Sequence, residues 1–314
     1  MQQLERESEE KYREIFAAAG LRKNHLTFPM FVSDRPGRIG SMPGMSVTPV
    51  EKAAQQAQSI VDSGIPSIIV FGIPKHRDSR GSAAADRQGI VQMAVRGIKS
   101  AFGGSVNVVT DVCVCQYNLS GHCGILANNR VDNDATLKAL AEIAASHAEA
   151  GADVVAPSSM MDGQVRAIKS ALSGFSKTMV LPYSAKHASS LYAPFRSAAF
   201  AKTRLRLDKS SYQVSYANPR QVLLEIETDI NEGADMIMIK PALAYLDLVR
   251  MVKDRFGYPV AVQNVSGEYA MIKAAGMRGW VDEEEWKVCS VASIKRAGAD
   301  RIISYFALDV AKYL

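Results

Sequence analysis

The chain has 314 residues, 47% hydrophobic and 22% charged, and its 37 basic and 32 acidic side chains leave a net charge of +5. This balance is typical of a soluble globular protein of one large or two ordinary domains. The basic excess is small and scattered, which argues against a nucleic-acid-binding protein and fits a site that collects small anions. No apolar run reaches the roughly 18–20 residues of a membrane span, and the polar, acidic N-terminus does not look like a secretory signal. We therefore expect a cytoplasmic protein without membrane contact.

Eight short apolar runs alternate with stretches of helical spacing along the chain. The apolar runs lie at 26–32, 67–71, 106–114, 153–156, 178–181, 235–239, 259–262 and 301–305, and helical spacing is found at 50–61, 135–150, 218–231, 244–256 and 282–296. Near-continuous apolar strands separated by helices predict a parallel sheet covered on both faces. Eight such units in a chain of this length predict an α/β fold, the closed (β/α)8 TIM barrel. Residues 1–25 are expected to form a short, polar, helical N-terminal arm, and residues 26–314 the catalytic barrel.

The tripeptide Gly-Ala-Asp recurs at 151–153, 233–235 and 298–300, each time between a predicted helix and a predicted strand. Glycine at the end of a helix can adopt the left-handed conformation that terminates it. The repeat therefore indicates local geometry that the βα units share.

Two lysines stand at the carboxyl ends of consecutive predicted strands, the end at which barrel enzymes carry their active sites. Lys240 is followed by Pro241, which cannot continue a strand ladder, and Lys186 ends the strand before it. Neighbouring strands lie about 4.8 Å apart, so the two ammonium groups can share a cavity and depress each other's pKa. A neutral lysine amine attacks a ketone. The alternative is that both are ordinary strand-end lysines in solvent or in ion pairs.

Three of the four cysteines, Cys113, Cys115 and Cys123, lie within eleven residues at another strand end. Three thiolates suit zinc and leave one coordination position open, as in a catalytic zinc site. The alternatives are small buried hydrophobic residues or a Cys113–Cys123 disulfide, which a reducing cytoplasm disfavours. Cys289, on a predicted helix, is expected to be a packed small residue. His122 could be a fourth ligand, a base or a packed ring, and a place near the site without binding the metal is the favoured interpretation.

The segment from Lys186 to Gln213 is rich in basic and aromatic residues and follows a barrel strand, which predicts a lid. Its members are Lys186, Arg196, Lys202, Arg204, Arg206, Lys209, Tyr192, Phe195, Phe200 and Tyr212. Basic residues among aromatics also occur on RNA-binding surfaces. At a barrel mouth, a clamp for a substrate carboxylate is the favoured interpretation.

Six long motifs make the chain resemble the porphobilinogen synthase (5-aminolevulinate dehydratase) family of the zinc–cysteine type. They are DVCVCQYNLSGHCG at 111–124, APSSMMDGQV at 156–165, YSAKHASSLYAPFR at 183–196, IKPALAYLDLV at 239–249, VSGEYAMI at 265–272 and SIKRAGADRIISYFALD at 293–309. The resemblance implies a TIM-barrel lyase of haem and other tetrapyrrole biosynthesis. Two molecules of 5-aminolevulinate would condense to porphobilinogen, with loss of two waters, through Schiff bases on two lysines.

The resemblance also implies roles for individual residues. Lys240 matches the lysine for the propionate-side substrate, Lys186 the lysine for the acetate-side substrate, and Asp111 a carboxylate beside both. Cys113, Cys115 and Cys123 match the zinc ligands. Ser266 and Tyr305 match propionate-side carboxylate donors; Arg196, Lys209 and Gln213 match the acetate-side clamp; and Ser158 and Tyr192 line the pocket. Glu225 matches a carboxylate that supports an activating magnesium in some members.

Three positions depart from the pattern. Lys209 stands where many relatives have arginine, so bidentate carboxylate binding is lost. Gln263 replaces an aromatic residue, which removes stacking over the substrate, and Leu224 is a poor neighbour for magnesium at Glu225.

The family assembles as homo-oligomers, as octamers with hexamers and dimers also known, and the resemblance implies an octamer or a hexamer here. Alternative functions are another Schiff-base barrel enzyme, such as an aldolase, and a non-catalytic zinc-bearing or RNA-binding scaffold.

Overall fold

Every predicted apolar run overlaps a strand of the central sheet. The computed structural model describes residues 2–199 and 208–314. The barrel strands are β1 Leu26–Ser33, β2 Ser67–Ile73, β3 Asn107–Val112, β4 Val154–Pro157, β5 Met179–Val180 with its continuation Ala185–Lys186, β6 Ile237–Lys240, β7 Val260–Asn264 and β8 Arg301–Ser304. All eight residues of β1 and all residues of β6 and β7 are buried, which explains their unbroken apolar character.

The eight strands are parallel and form a closed ring. Strands pair in chain order from β1 to β5 and from β6 to β8, and β8 pairs with β1 through Leu26 opposite Ile302. The two parts of β5 complete the ring. Its first part bonds to the segment at β6 through Asp235 N–H to Val180 O at 2.9 Å, and Ala185 and Lys186 pair with Ile239 and Lys240. The predicted TIM barrel is confirmed.

The helices cover the outside of the ring. They are α1 Gln2–Ala18, α2 Ala53–Asp62, α3 Ile90–Phe102, α4 Asn133–Glu149, α5 Gln164–Ala171, α6 Ala193–Ala199, α7 Pro219–Asn231, α8 Leu246–Phe256, α9 Ser266–Met277, α10 Glu283–Ala297 and α11 Ala307–Ala311. The five predicted helical stretches coincide with α2, α4, α7, α8 and α10. Among the described residues, no helix combines the length and the apolar character needed to cross a bilayer.

Two small hairpins interrupt the βα pattern. One consists of Gly37–Arg38 and Ser46–Pro49, and its second strand pairs with the end of β1. The other, Ile125–Ala127 with Arg130–Asp132, follows the cysteine loop and turns at Asn128 and Asn129, both with positive φ. Asparagine tolerates this left-handed conformation, which two-residue hairpin turns require.

The second half of helix α1 packs against the barrel of the same chain. Tyr12 and Phe16 are buried, and the ring of Tyr12 meets the ring of Tyr313 edge-on at 5.2 Å. The arm is therefore anchored to the barrel from Tyr12 onward. The division into an arm at 1–25 and a barrel at 26–314 remains a prediction.

Cys289 corrects one expectation. It lies on α10 as predicted, but it is exposed rather than packed. Helix α10 buries Val288, Val291 and Ile294 on one face, whereas Cys289 lies one turn beyond the exposed Glu285 on the other.

Candidate active site

The carboxyl ends of the strands surround a cavity. Of the residues predicted for the site, Asp111, Cys115, Cys123, Ser158, Lys186, Tyr192, Arg196, Lys209, Gln213, Lys240, Ser266 and Tyr305 line it. Cys113 lies behind the cavity wall in contact with the other two cysteines. Glu225 lies elsewhere, on α7, in a groove that Asp162 and Asp229 also line.

Lys186 and Lys240 are direct neighbours across the barrel because β5 and β6 pair them in register. Both are more than nine-tenths buried. The Nζ of Lys240 lies 4.3 Å from the ring centre of Tyr183 and 5.2 Å from that of Tyr192, and it donates to Gln263 Oε1 at 3.0 Å. The Nζ of Lys186 donates to Ser158 O at 2.5 Å and lies 3.7 Å from Cys123 Sγ.

The surroundings shift the pKa values of the two lysines in opposite directions. Burial, followed by the charge of Lys186, lowers the pKa of Lys240 to about 7. Burial alone would lower the pKa of Lys186 as well, but the thiol cluster, Cys123 first, and the carboxylate of Asp111 raise it above its ordinary value. Near neutral pH, Lys240 is therefore the lysine that reaches the neutral, nucleophilic form.

The three cysteines form a compact buried cluster whose sulfur atoms all lie within 4.8 Å of one another. Tetrahedral zinc with Zn–S bonds of about 2.3 Å spaces its sulfur ligands by about 3.8 Å, which lies within this limit. The ammonium group of Lys209 also contacts the cluster, because its Nζ lies 3.2 Å from Cys123 Sγ. Hydrogen bonds from Cys113 and Cys115, and then the charges of Lys186 and Lys209, hold the pKa of Cys123 well below its usual range, although burial opposes them. The cluster fits a zinc site.

Asp111 is fixed between the cysteines and the lysines. Its Oδ2 accepts a hydrogen bond from Gln116 Nε2 at 2.9 Å, and Gln116 Oε1 accepts one from Cys115 Sγ at 3.2 Å. Gln116 thus couples the carboxylate to the thiol cluster. Its sequence position next to Cys115 was visible, but the direction of its side chain was not.

The described parts of the predicted lid contribute Phe195, Arg196 and Lys209 to the lining of the cavity. Phe195 on α6 packs against Phe31 and Phe71 at ring distances of 5.6 and 5.3 Å, and its N–H donates to Ser266 Oγ at 3.1 Å. Arg196 makes no hydrogen bond or ion pair with a described residue, and its guanidinium lies 5.8 Å from the Tyr192 ring. The basic and aromatic positions Phe200, Lys202, Arg204 and Arg206 lie outside the described residues.

The remaining predicted site residues differ in how far their polar groups are engaged. The hydroxyl of Ser266 donates to Leu191 O at 3.2 Å, and the hydroxyl of Tyr192 donates to Lys240 O at 3.2 Å. Gln213 Oε1 is buried without a hydrogen-bond partner among the described residues. His122 Nδ1 lies 3.0 Å from the hydroxyl of Tyr212, and His122 is not part of the cysteine cluster.

Glu268 was not assigned a role from the sequence. It is buried, and its carboxylate accepts from the N–H groups of Ala242, Leu243 and Val265 at 3.1, 2.5 and 2.6 Å. It thereby ties together the segments that follow Lys240 and precede Ser266. Only its place in the motif SGEY hinted at this, because the partners Ala242 and Leu243 are backbone groups distant in sequence.

The chain has a closed barrel, and two buried lysines and a thiol cluster lie at the carboxyl ends of its strands. These features place it in the class of TIM-barrel enzymes. Residues 2–313 match the family "Delta-aminolevulinic acid dehydratase". The chain is 46% identical over 308 residues to the enzyme of that name from Archaeoglobus fulgidus, covering 96% of this chain and 94% of the relative, and 45% identical over 305 residues to that from Escherichia coli, covering 96% and 93%.

A solved structure gives the same result. It is delta-aminolevulinic acid dehydratase (porphobilinogen synthase) from Toxoplasma gondii ME49, in complex with the reaction product porphobilinogen. Its TM-score is 0.90 at 35% identity, covering 94% of this chain and 86% of that one. The chain belongs to the delta-aminolevulinic acid dehydratase family. Its activity is that of a porphobilinogen synthase, a hydro-lyase of tetrapyrrole biosynthesis. The aldolase and scaffold alternatives are thereby set aside.

Proposed function

We propose that the chain joins two molecules of 5-aminolevulinate while each is held as a Schiff base, the first on Lys240 and the second on Lys186. In each step the neutral Nζ adds to the ketone carbon, and the ketone oxygen leaves as water after taking up two protons. The register pairing of the two lysines in one buried cavity is the observation that carries this proposal.

The order of binding follows from the charges of the two lysines. Lys240, with a pKa of about 7, reaches the neutral form near neutral pH, whereas Lys186 stays cationic beside the thiols. Once Lys240 has become an imine, the second substrate enters beside Lys186 and the cysteines, and Lys186 gives a proton to the carboxylate of Asp111 before its Nζ adds to the second ketone.

The carboxylates of the two substrates are assigned to opposite sides of the cavity. Ser266 and Tyr305 bind the first, on the propionate side, and support comes from the Tyr305 side chain, which lines the cavity. Arg196, Lys209 and Gln213 bind the second, on the acetate side. Arg196 supports this assignment because no acidic residue among those described pairs with it, so its charge is available to a ligand.

Asp111 is proposed to orient the reacting groups and to relay protons between the lysines and the departing water. Its carboxylate raises the pKa of Lys186 and opposes the lowering of the pKa of Lys240, which indicates that it faces both. Gln116 holds it in that position. Ser158 and Tyr192 complete the walls around the lysines.

Cys113, Cys115 and Cys123 would hold zinc. When bound, the ion would supply Lewis-acid chemistry beside the second substrate through its open position. The chain's own contribution is to keep the thiols buried and to place the cations of Lys186 and Lys209 against Cys123.

The family resemblance supports four further proposals for this chain. They are a magnesium site near Glu225, assembly into an octamer or a hexamer, an N-terminal arm at residues 1–25 and a cytoplasmic location. Burial, and then the charge of Asp162, raise the pKa of Glu225, which works against binding a cation there until that carboxyl ionises.

Pyrrole formation from 5-aminolevulinate tests the proposal. Lys240→Met and Lys186→Met should each reduce turnover on the order of 10⁴-fold or more, because a covalent attachment point is lost. Lys169→Met, at the opposite end of the barrel where Lys169 pairs with Asp235, should retain turnover. Substantial turnover in either site variant would refute the two-lysine assignment.

A further inference from the structure

Gln263 is the polar group in closest hydrogen-bonding contact with the Nζ of Lys240. The pairing of Ile239 with Val262 between β6 and β7 sets the next two residues, Lys240 and Gln263, side by side. Gln263 is 3% exposed, and its Oε1 lies 3.0 Å from the amine. The contact is therefore built by the sheet register.

The amide of Gln263 has one engaged end and one open end. Its Oε1 accepts from Lys240, whereas its Nε2 makes no hydrogen bond to a described residue and the side chain lines the cavity. A neutral amine that donates one N–H to Oε1 must point its lone pair away from that oxygen. A protonated Schiff base retains one N–H, which the same oxygen can accept.

We infer that Gln263 is a positioning residue for Lys240: its Oε1 turns the amine lone pair towards the incoming ketone and then holds the N–H of the protonated Schiff base. The inference rests on the proposed function, in which Lys240 forms the first Schiff base. It assigns a purpose to the amide of Gln263, which is buried in the wall of the cavity.

Other groups also face Lys240 and set its charge. They are Lys186, Asp111, Cys123 and Cys115, with the rings of Tyr183 and Tyr192. All of these remain when Gln263 is replaced, so a change in the pH dependence of Lys240 reports on the amide alone. An acceptor hydrogen bond stabilises the ammonium form more than the amine and therefore raises the pKa.

The experiment traps the first Schiff base with borohydride at limiting 5-aminolevulinate, from about pH 5 to about pH 9, and quantifies the labelled Lys240 peptide by mass spectrometry. In Gln263→Leu the acid limb should move down by about one pH unit, and the adduct yield above it should fall on the order of tenfold. In Gln263→Glu the limb should move up, because a carboxylate favours the ammonium form. These opposite shifts are not expected from a merely structural residue.

Gln92→Leu is the matched control. Gln92 is equally buried and donates to Ala84 O and Ser146 Oγ far from the cavity, so its loss should lower stability and leave the limb in place. If Gln263→Leu does not fold, Gln263→Asn replaces it: the shorter side chain withdraws the amide oxygen from the amine, so the limb should move down and the adduct yield should fall as expected for Gln263→Leu. If the acid limb and the yield of the Lys240 adduct are the same in the wild type and in the Gln263 variants, the inference about Gln263 is wrong and the proposed function still stands. Absence of any Lys240 adduct in the wild type would overturn the proposed function instead.

Discussion

At the scale of single residues, different surroundings give the two lysines of the site different pKa values. Lys240 sits among aromatic rings and next to a cation, and Lys186 sits among thiols. The same burial therefore leaves one pKa lowered and the other raised. The nucleophilic amine of Lys240 and the cation of Lys186, which lowers the pKa of that amine, therefore lie on adjacent strands.

The charge of Lys186 can be tested through the pH dependence of Lys240. Below about pH 7 Lys240 holds its proton, so Schiff-base formation there should fall about tenfold per pH unit. Replacing Lys186 with methionine removes a neighbouring cation and raises the pKa of Lys240, so the acid limb of borohydride trapping should move to higher pH. An unmoved limb would show that the two charges do not interact.

Lys209 should matter to the second substrate more than to the first. Lys209→Met removes a buried cation at the acetate side, and the KM of the second site should rise about ten- to a hundredfold while the yield of the Lys240 adduct stays constant. Lys177→Met, at an exposed position, is the control. Steady-state kinetics with an unchanged KM would show that Lys209 serves Cys123 alone.

At the scale of elements, the Gly-Ala-Asp repeat is a structural clasp at the end of the barrel opposite the site. Its glycines have φ of 103°, 97° and 118°, and the space beside each is filled by a lysine side chain. Each aspartate accepts from that lysine and from the N–H of a residue in the preceding strand. The three sets are Lys99–Asp153–Val108, Lys169–Asp235–Val180 and Lys253–Asp300–Val260.

Breaking one clasp should cost stability without affecting chemistry. Asp300→Ala leaves the N–H of the buried Val260 unpaired and should lower the free energy of unfolding by about 1–3 kcal/mol. Asp300→Asn keeps an acceptor and should cost less. In the exposed pair Arg250–Asp254, Asp254→Ala should cost much less, because water solvates both charges when the pair is broken. Urea denaturation measures all three, and equal losses in Asp300→Ala and Asp254→Ala would contradict the clasp.

The sequence predicted the elements well where periodicity was strong and less well where tertiary contacts decide. The eight apolar runs and the strand-end lysines were visible because burial on both faces leaves an unbroken apolar pattern. The gap in β5 between Val180 and Ala185 and the hairpin at Asn128 depend on neighbours that periodicity does not report. The contacts of Gln263 and Glu268 were hidden for the same reason, since their partners are distant in sequence.

At the scale of the whole molecule, the cysteines form a small cluster beside the main hydrophobic core. Cys113, Cys115 and Cys123 pack with Ala199, and Phe195 and Tyr212 pack against both this cluster and the main core. The barrel is thus held together by contacts that do not involve the proposed metal site.

Removal of zinc should therefore abolish turnover and leave the fold intact. After chelation, pyrrole formation should vanish and return on adding zinc, while the far-UV circular dichroism spectrum stays nearly unchanged. Undiminished turnover at a metal content near zero would show that the three cysteines have another role.

The central claim is that two paired lysines act in sequence, Lys240 first. The most direct measurement is borohydride reduction with limiting 5-aminolevulinate, followed by peptide mass spectrometry. The account predicts label on the peptide containing Ile239-Lys240-Pro241, loss of that label in Lys240→Met, and retention of it without turnover in Lys186→Met. Label appearing first on Lys186, or persisting at full yield in Lys240→Met, would contradict it.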